Sequence, residues 1–220
     1  MSHHSGLIHF IDPAKSIDGI VALGGPLTTT NLMRAYCRGI FPWPIEEIVP
    51  WCCPEERAIL DFNELHIPRR LARTRHNFQF TIDRSFPQVI SHCASIKRNH
   101  ESGTWITGQM IRAYCELHRL GHAHSVEVWE GAELVGGLYG VDACGSFAGE
   151  SMFSLRSNAS KLALLFLIEH LKERGLEWID IQMLTPHLEA LGAKVVSRAE
   201  FLEKLTATQQ RNLTLFGRTG

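Results

Sequence analysis

The chain has 220 residues, enough for one large domain or a domain with a small satellite, and 45% of them are apolar, as a packed core requires. A formal net charge of −1 excludes a globally basic nucleic-acid binder, so any such partner must be held by a local patch. No apolar run is long enough to cross a bilayer, and residues 1–10 lack the charged start and long apolar middle of a signal peptide, so no membrane association is expected. The six cysteines, at 37, 52, 53, 93, 115 and 144, form no CxxC, and the adjacent Cys52-Cys53 suits neither a disulfide framework nor zinc. They read as small buried hydrophobes of a reduced, cytoplasmic protein, with no metal site.

Residues 20–23 form a short apolar run that ends in the turn Gly24-Gly25-Pro26. Thr28 to Thr30 offer caps for a helix whose apolar side is Leu32, Met33, Ala35 and Tyr36, and Gly39 stops it. An aromatic, proline-stiffened segment follows (Ile40-Phe41-Pro42-Trp43-Pro44), then Trp51-Cys52-Cys53-Pro54 and a strand at 57–62. A boundary near residue 62 would divide a small N-terminal α/β subdomain, 1–62, from a larger domain, 63–220. Residues 67–76 read as a short helix with Pro68 in its first turn, and Arg69, Arg70, Arg73 and Arg75 make it the densest positive cluster in the chain. Alternation at 78–82 predicts a strand, and 85–94 and 108–120 read as helices, the second capped by Thr107 and stopped by Gly121. His118 on that helix reads as a core-edge histidine. Residues 124–129 and 134–141 flank Glu130-Gly131-Ala132 as a hairpin, and 146–153 adds a third strand. The helix at 158–174 is apolar nearly all round, which predicts burial on most sides. Residues 178–183 return as a strand, 186–191 as a short helix and 195–196 as a possible strand, while 201–220 is polar and weakly periodic, with its end expected to fray.

Two stretches carry polar groups where burial is expected. Glu150 lies among small residues in the third strand of the meander, and Asp180 and Gln182 lie two residues apart, on one face, in an otherwise apolar strand. Such groups are costly unless paired or used. The order meander, buried helix, strand is that of an α+β acetyltransferase-like (GNAT) core: a mixed, mainly antiparallel sheet with flanking helices. The loop into the helix, Ser154-Leu155-Arg156-Ser157-Asn158-Ala159-Ser160, has no glycine. Its serines, Arg156 and Lys161 suit an anion at the helix N-terminus, but the usual pyrophosphate cradle for CoA is absent.

Several motifs in order are similar to those of the leucyl/phenylalanyl-tRNA–protein transferases: Ala35-Tyr36-Cys37-Arg38-Gly39-Ile40-Phe41-Pro42-Trp43, Gly103-Thr104-Trp105-Ile106-Thr107, Gly121-His122-Ala123-His124-Ser125, Gly136-Gly137-Leu138-Tyr139-Gly140, Gly149-Glu150-Ser151-Met152-Phe153-Ser154, Asn158-Ala159-Ser160-Lys161 and Ile179-Asp180-Ile181-Gln182. The resemblance spans roughly residues 18–202. It implies transfer of Leu or Phe, possibly Met, from aminoacyl-tRNA to the α-amine of proteins that begin with Arg or Lys. The product would be an N-degron, made without metal or cofactor by a cytoplasmic monomer. Asp180, Gln182 and Glu150 would be catalytic, with Asp180 deprotonating or orienting the amine. Leu138, Phe147, Met152, Leu164, Leu167, Leu171 and Ile179 would surround the aminoacyl side chain. Tyr36, Trp43 and Trp105 would stack on the tRNA 3′ adenosine, and Arg69, Arg70, Arg73 and Arg75 would hold tRNA phosphates.

The chain departs from the family at Gly24-Gly25-Pro26-Leu27, where an aspartate is common in place of Pro26. It departs again at Trp51-Cys52-Cys53-Pro54, where Trp-Trp-Ser-Pro is common, and at Ile181, where a cysteine stands between Asp and Gln. The competing functions are acyl-CoA-dependent N-acylation on the same fold and non-catalytic tRNA binding.

Overall fold

A computed structural model describes residues 6–45, 48–96 and 105–217, leaving aside the side chains of residues 69, 70 and 72. The polar loop at 97–102 and Gly103-Thr104 lie outside the described residues. Two sheets are present. The smaller joins β1 (Ile20–Leu23), β3 (Pro50–Cys52) and β2 (Phe41–Pro42), all antiparallel. The larger has the order β10-β4-β9-β8-β7-β6-β5, from Lys194–Ser197, Glu56–Asp61, Trp178–Gln182, Phe147–Ser154, Glu133–Asp142, Ala123–Glu130 and Gln79–Ile82. Every pairing in it is antiparallel except that of β8 with β9.

Local sequence sets most of these elements. The side chains of Thr28 and Thr107 accept the Asn31 and Met110 amides and start α1 (Thr29–Tyr36) and α4 (Gly108–Arg119). Between β7 and α5 (Ala159–Lys172) the backbones come so close that a Cβ on Gly136 would lie 2.5 Å from that of Ala159. Glycine there, and alanines at 159 and 163, let the helix lie flat on the sheet. The outer side of α5 is covered as well. Leu162 and Leu165 pack with Leu71 of α2 (Arg69–Thr74), and Leu215 and Phe216 of the C-terminal segment close another flank. This accounts for a helix that is apolar nearly all round.

The opposite face of the sheet carries α1, α3 (Phe86–Ser95) and α4. Tyr36, Phe86, Tyr114, Tyr139 and Phe153 pack there in one cluster with Phe10, Leu32 and Trp51 of the N-terminal part. The N-terminal segment therefore shares its core with the main body, and β4, which precedes residue 62, is an internal strand of the large sheet.

Two features go beyond the sequence reading. The first is α7 (Arg198–Gln210), in the polar C-terminal stretch, which begins at a capping box in which Ser197 accepts from the Glu200 amide while Glu200 accepts from Ser197. Its Phe201 and Leu205 are buried against Ile59 and Trp178, and the Trp178 indole donates to Thr208 at 2.9 Å. Burial of only a few side chains left little periodicity to read. Second, Cys37 and Cys144 are not isolated thiols but a disulfide, joining the end of α1 to the β7–β8 turn across 107 residues of sequence. Among the described residues no helix is long and apolar enough to cross a membrane.

Candidate active site

The site forms where the parallel strands β8 and β9 part. They pair at one register point, Ala148 with Asp180. Beyond it the next outward-facing side chains, Glu150 and Gln182, bridge the gap: Gln182 Nε2 donates to Glu150 Oε1 at 2.5 Å. The two polar stretches singled out in the sequence thus lie side by side.

Glu150 is partly buried under two tyrosines. The Tyr36 hydroxyl donates to Oε1 at 2.7 Å and the Tyr114 hydroxyl to Oε2 at 3.3 Å, and the two hydroxyls also contact each other. No cation among the described residues pairs with this carboxylate. Burial pushes its pKa up to about 7; hydrogen bonds from Tyr36 and Gln182 act against the rise, and nearby Asp180 adds to it. Burial and the Glu150 charge hold both phenols well above the usual tyrosine range, so they stay protonated and donate.

Asp180 has a different environment. It is 4% exposed, and both oxygens are taken: Arg57 donates from Nε to Oδ1 at 2.8 Å and from Nη2 to Oδ2 at 2.6 Å, and the Gln182 amide donates to Oδ1 at 2.9 Å. Arg57 is itself 1% exposed and lies between the rings of Phe41 and Phe201, 4.6 and 4.5 Å from their centroids. Burial opposes its charge, but Asp180 more than offsets this and holds the guanidinium above its ordinary pKa. Its Nη1 has no partner among the described residues. Gln182 has φ +63°, rare for a residue with a side chain, and the Met183 amide donates to Ile181 O at 2.7 Å around it. The Asp180–Arg57 pair and this tight turn together fix where the Gln182 amide points.

Arg57 is the main residue that sequence reading missed. In Arg57-Ala58-Ile59-Leu60-Asp61-Phe62 it looks like the outer residue of an ordinary strand, and only the antiparallel pairing of β4 with β9, with Ile59 opposite Asp180 and Ala58 opposite Gln182, brings its side chain within reach of Asp180. Tyr114 was legible only as an apolar position of α4. Glu127, an acid buried in β6, serves the fold: it accepts from Thr81, Ser125 and the Arg84 and Ser85 amides at the start of α3.

The seven residues expected around the aminoacyl group do come together. Leu138, Phe147, Leu164, Leu167, Leu171 and Ile179 are buried in one cluster on the α5 face, with Met152 partly buried against it. Glu150, Asp180 and Gln182 project from the other face. Of the aromatic trio, Trp43 and Trp105 stack at 5.3 Å and 15° and are partly exposed. Tyr36 is not part of that platform; it is 2% exposed and committed to Glu150.

Of the arginine cluster, Arg73 is exposed, whereas Arg75 is turned onto α5, where it pairs with both oxygens of Glu169 over Phe80. The side chains of Arg69 and Arg70 lie outside the described residues. Arg156, in the loop before α5, is likewise occupied, by Glu130 and Glu133 at 2.9 Å each. His118 stacks on Phe86 and bonds the Ala123 carbonyl, as a core-edge histidine would. Among the described residues no group of three or more His, Cys, Asp or Glu is placed to hold a metal ion.

Comparison with known proteins matches this arrangement to a class. Residues 59–206 match the family described as Leucyl/phenylalanyl-tRNA protein transferase, and residues 25–55 match its N-terminal domain. The chain is 46% identical over 213 residues to the Leucyl/phenylalanyl-tRNA--protein transferase of Anaeromyxobacter sp. (strain K), which covers 95% of this chain and 91% of that one. With its namesake from Pseudomonas entomophila (strain L48) the identity is 49% over 191 residues, 86% of this chain and 84% of that one. Among solved structures, L-PGS from Bacillus licheniformis covers 67% of this chain and 49% of its own at 17% identity, with a TM-score of 0.42, too distant to assign a fold family. The protein is an aminoacyltransferase. It belongs to the leucyl/phenylalanyl-tRNA–protein transferase family.

Proposed function

We propose that this chain moves Leu or Phe from the 3′ end of an aminoacyl-tRNA to the free α-amine of a protein beginning with Arg or Lys, and that the extended N-terminus serves as a degron in the cytoplasm. One observation carries the catalytic part of this reading. At the β8–β9 gap an uncompensated carboxylate with a pKa near neutrality, Glu150, is tied to an immobilised amide, Gln182.

The ester is already activated, so catalysis needs positioning and removal of a proton. The acceptor amine approaches Glu150 and passes it a proton. The free amine attacks the ester carbonyl and the C–N bond forms, leaving a second excess proton on nitrogen. As the C–O bond to the ribose oxygen breaks, Glu150 gives its proton to that oxygen; the regenerated carboxylate then takes the second proton from the new amide nitrogen and releases it to solvent. An α-amine has a pKa of about 8, close enough to that of Glu150 for transfer with little penalty. The Gln182 amide orients the amine or the ester carbonyl without titrating. Asp180, with both oxygens held by Arg57 and one also by the Gln182 amide, acts in this reading as the group that positions Gln182 rather than as the base.

The aminoacyl side chain would enter between the sheet and α5 beside Met152, the cluster member least enclosed. The adenosine would lie on the Trp43–Trp105 pair, and the tRNA stem would rest on Arg69, Arg70 and Arg73. The partial β8–β9 pairing supports a GNAT-like core for the catalytic part. The acyl-CoA alternative is weakened by the capture of Arg156, in the loop before α5, by two glutamates.

The test is transfer of labelled Leu or Phe from charged tRNA to an Arg-starting protein. Label appears with the wild-type chain and is lost with Glu150→Ala; tRNA binding by both, with no transfer by the wild type, would leave only the binding-module reading.

A further inference from the structure

Beside Gln182 lies a cleft of about 580 Å3 between the segment before β1, the β3–β4 connection and the ends of β9 and β10. We propose that it seats the acceptor's cationic N-terminal residue and the first residues after it; this rests on the transfer reading above and adds the surface that selects the acceptor.

Three independent features converge there. The first is charge. Asp18, Glu55 and Glu56 line the cleft and are exposed, and none pairs with a Lys or Arg among the described residues. Glu64, Glu130, Glu133, Glu169 and Glu177 each do. In a chain of net charge −1, a cleft rimmed by three unneutralised carboxylates is a local negative field that attracts an ammonium and a guanidinium together. The second is apolar exposure. Ile17, Met183 and Val195, at 90%, 49% and 42% exposed, share the cleft with these acids. An exposed apolar wall with a polar rim is the surface an extended peptide covers.

The third is Gln182 itself. It is 4% exposed, and its Nε2 is used on Glu150, while Oε1 meets no donor among the described residues. An amide oxygen without a donor, on a residue that lines the cleft, is matched by the N–H groups of an α-amine. An amine held there is next to Glu150, the group that takes its proton, and the side chain of the same residue extends towards the acids. The cleft is lined by Gln182 but not by Glu150, Tyr36 or Tyr114, so the acceptor would reach Gln182 from the cleft and its amine would meet the aminoacyl ester beside Glu150.

The experiment uses two acceptor peptides identical except for Arg or its neutral isostere citrulline at the first position, with labelled phenylalanyl-tRNA as donor. The wild-type chain is expected to favour Arg by about tenfold or more in kcat/KM. The combined variant Asp18→Asn, Glu55→Gln, Glu56→Gln is expected to reduce that preference to about twofold, through a higher KM for the Arg peptide. Because all three residues are exposed, the variant should melt close to the wild type. The single reversal Glu55→Lys gives an independent check: its loss for the Arg peptide should be largest at low salt and shrink as salt screens the cleft. An undiminished Arg preference in the folded triple variant overturns the proposal. Absence of transfer to either peptide by the wild-type chain overturns the transfer reading instead.

Discussion

Burial drives the Glu150 carboxyl up to about 7, against hydrogen bonds from Tyr36 and Gln182 that favour its charge. Two consequences follow, with opposite dependence on pH. Activity requires the ionised form, so kcat/KM should rise as pH increases through about 7, and Glu150→Gln should lose most transfer and this limb; a pH-rate profile checks both. Stability runs the other way. The folded state holds this proton more tightly than the unfolded chain does. The contribution is therefore full below the ordinary carboxylate pKa and lost as pH rises through about 7. Thermal melts should show Glu150→Gln gaining on the wild type at pH 8 but not at pH 4. Asp180 behaves differently because Arg57 neutralises it. Removing Arg57, as in Arg57→Ala, leaves a buried carboxylate unpaired and should cost about 3–5 kcal/mol, measured by chemical denaturation. Asp180 and Gln182 were legible because two polar groups at a spacing of two stand out in an apolar strand. Arg57 was not, because a single arginine near a strand end is ordinary until strand pairing brings its side chain onto a buried aspartate.

Among elements, α7 has the largest effect that composition hid. It supplies the Phe201 ring under Arg57 and the Thr208 hydroxyl for Trp178, so the last helix supports the strand that carries Asp180 and Gln182. Ser197→Ala breaks its capping box and should cost about 1 kcal/mol in a denaturation experiment, with a smaller loss of transfer as β9 loosens. The capping box was written in Ser197-Arg198-Ala199-Glu200, three residues apart, but only Phe201, Leu205 and Thr208 of this helix are buried, too few to mark an apolar stripe. The meander and α5 were legible for the contrary reason: turn residues bound each strand, and nearly every position of α5 is apolar. Gly136 carries a further test. Gly136→Ala would press a methyl into Ala159 at 2.5 Å and should lower Tm by several degrees through separation of α5 from β7. The Cys37–Cys144 link was not readable from spacing, since two cysteines 107 residues apart come together only once α1 packs beside the β7–β8 turn.

In the whole molecule, one sheet separates two environments. On the α5 face lies an apolar cluster; on the other lie the tyrosines, Glu150, and the Asp180–Arg57 pair. Strands β8 and β9 carry residues of both. This division explains why the sequence shows polar residues and apolar residues alternating along the same two strands rather than gathered in one motif. It also assigns different failures to different faces: large-to-small changes under α5 alter donor choice and stability, whereas changes at Glu150 stop chemistry in a folded protein. The most direct measurement is single-turnover transfer of radiolabelled phenylalanine from its tRNA to an Arg-starting protein, run with the wild type and with Glu150→Gln across pH 6 to 9. The account predicts rapid transfer that increases through about pH 7 for the wild type, and a rate lower by about 10²–10⁴-fold with no such rise for Glu150→Gln at unchanged tRNA binding. Equal rates and equal pH profiles for the two proteins would contradict it.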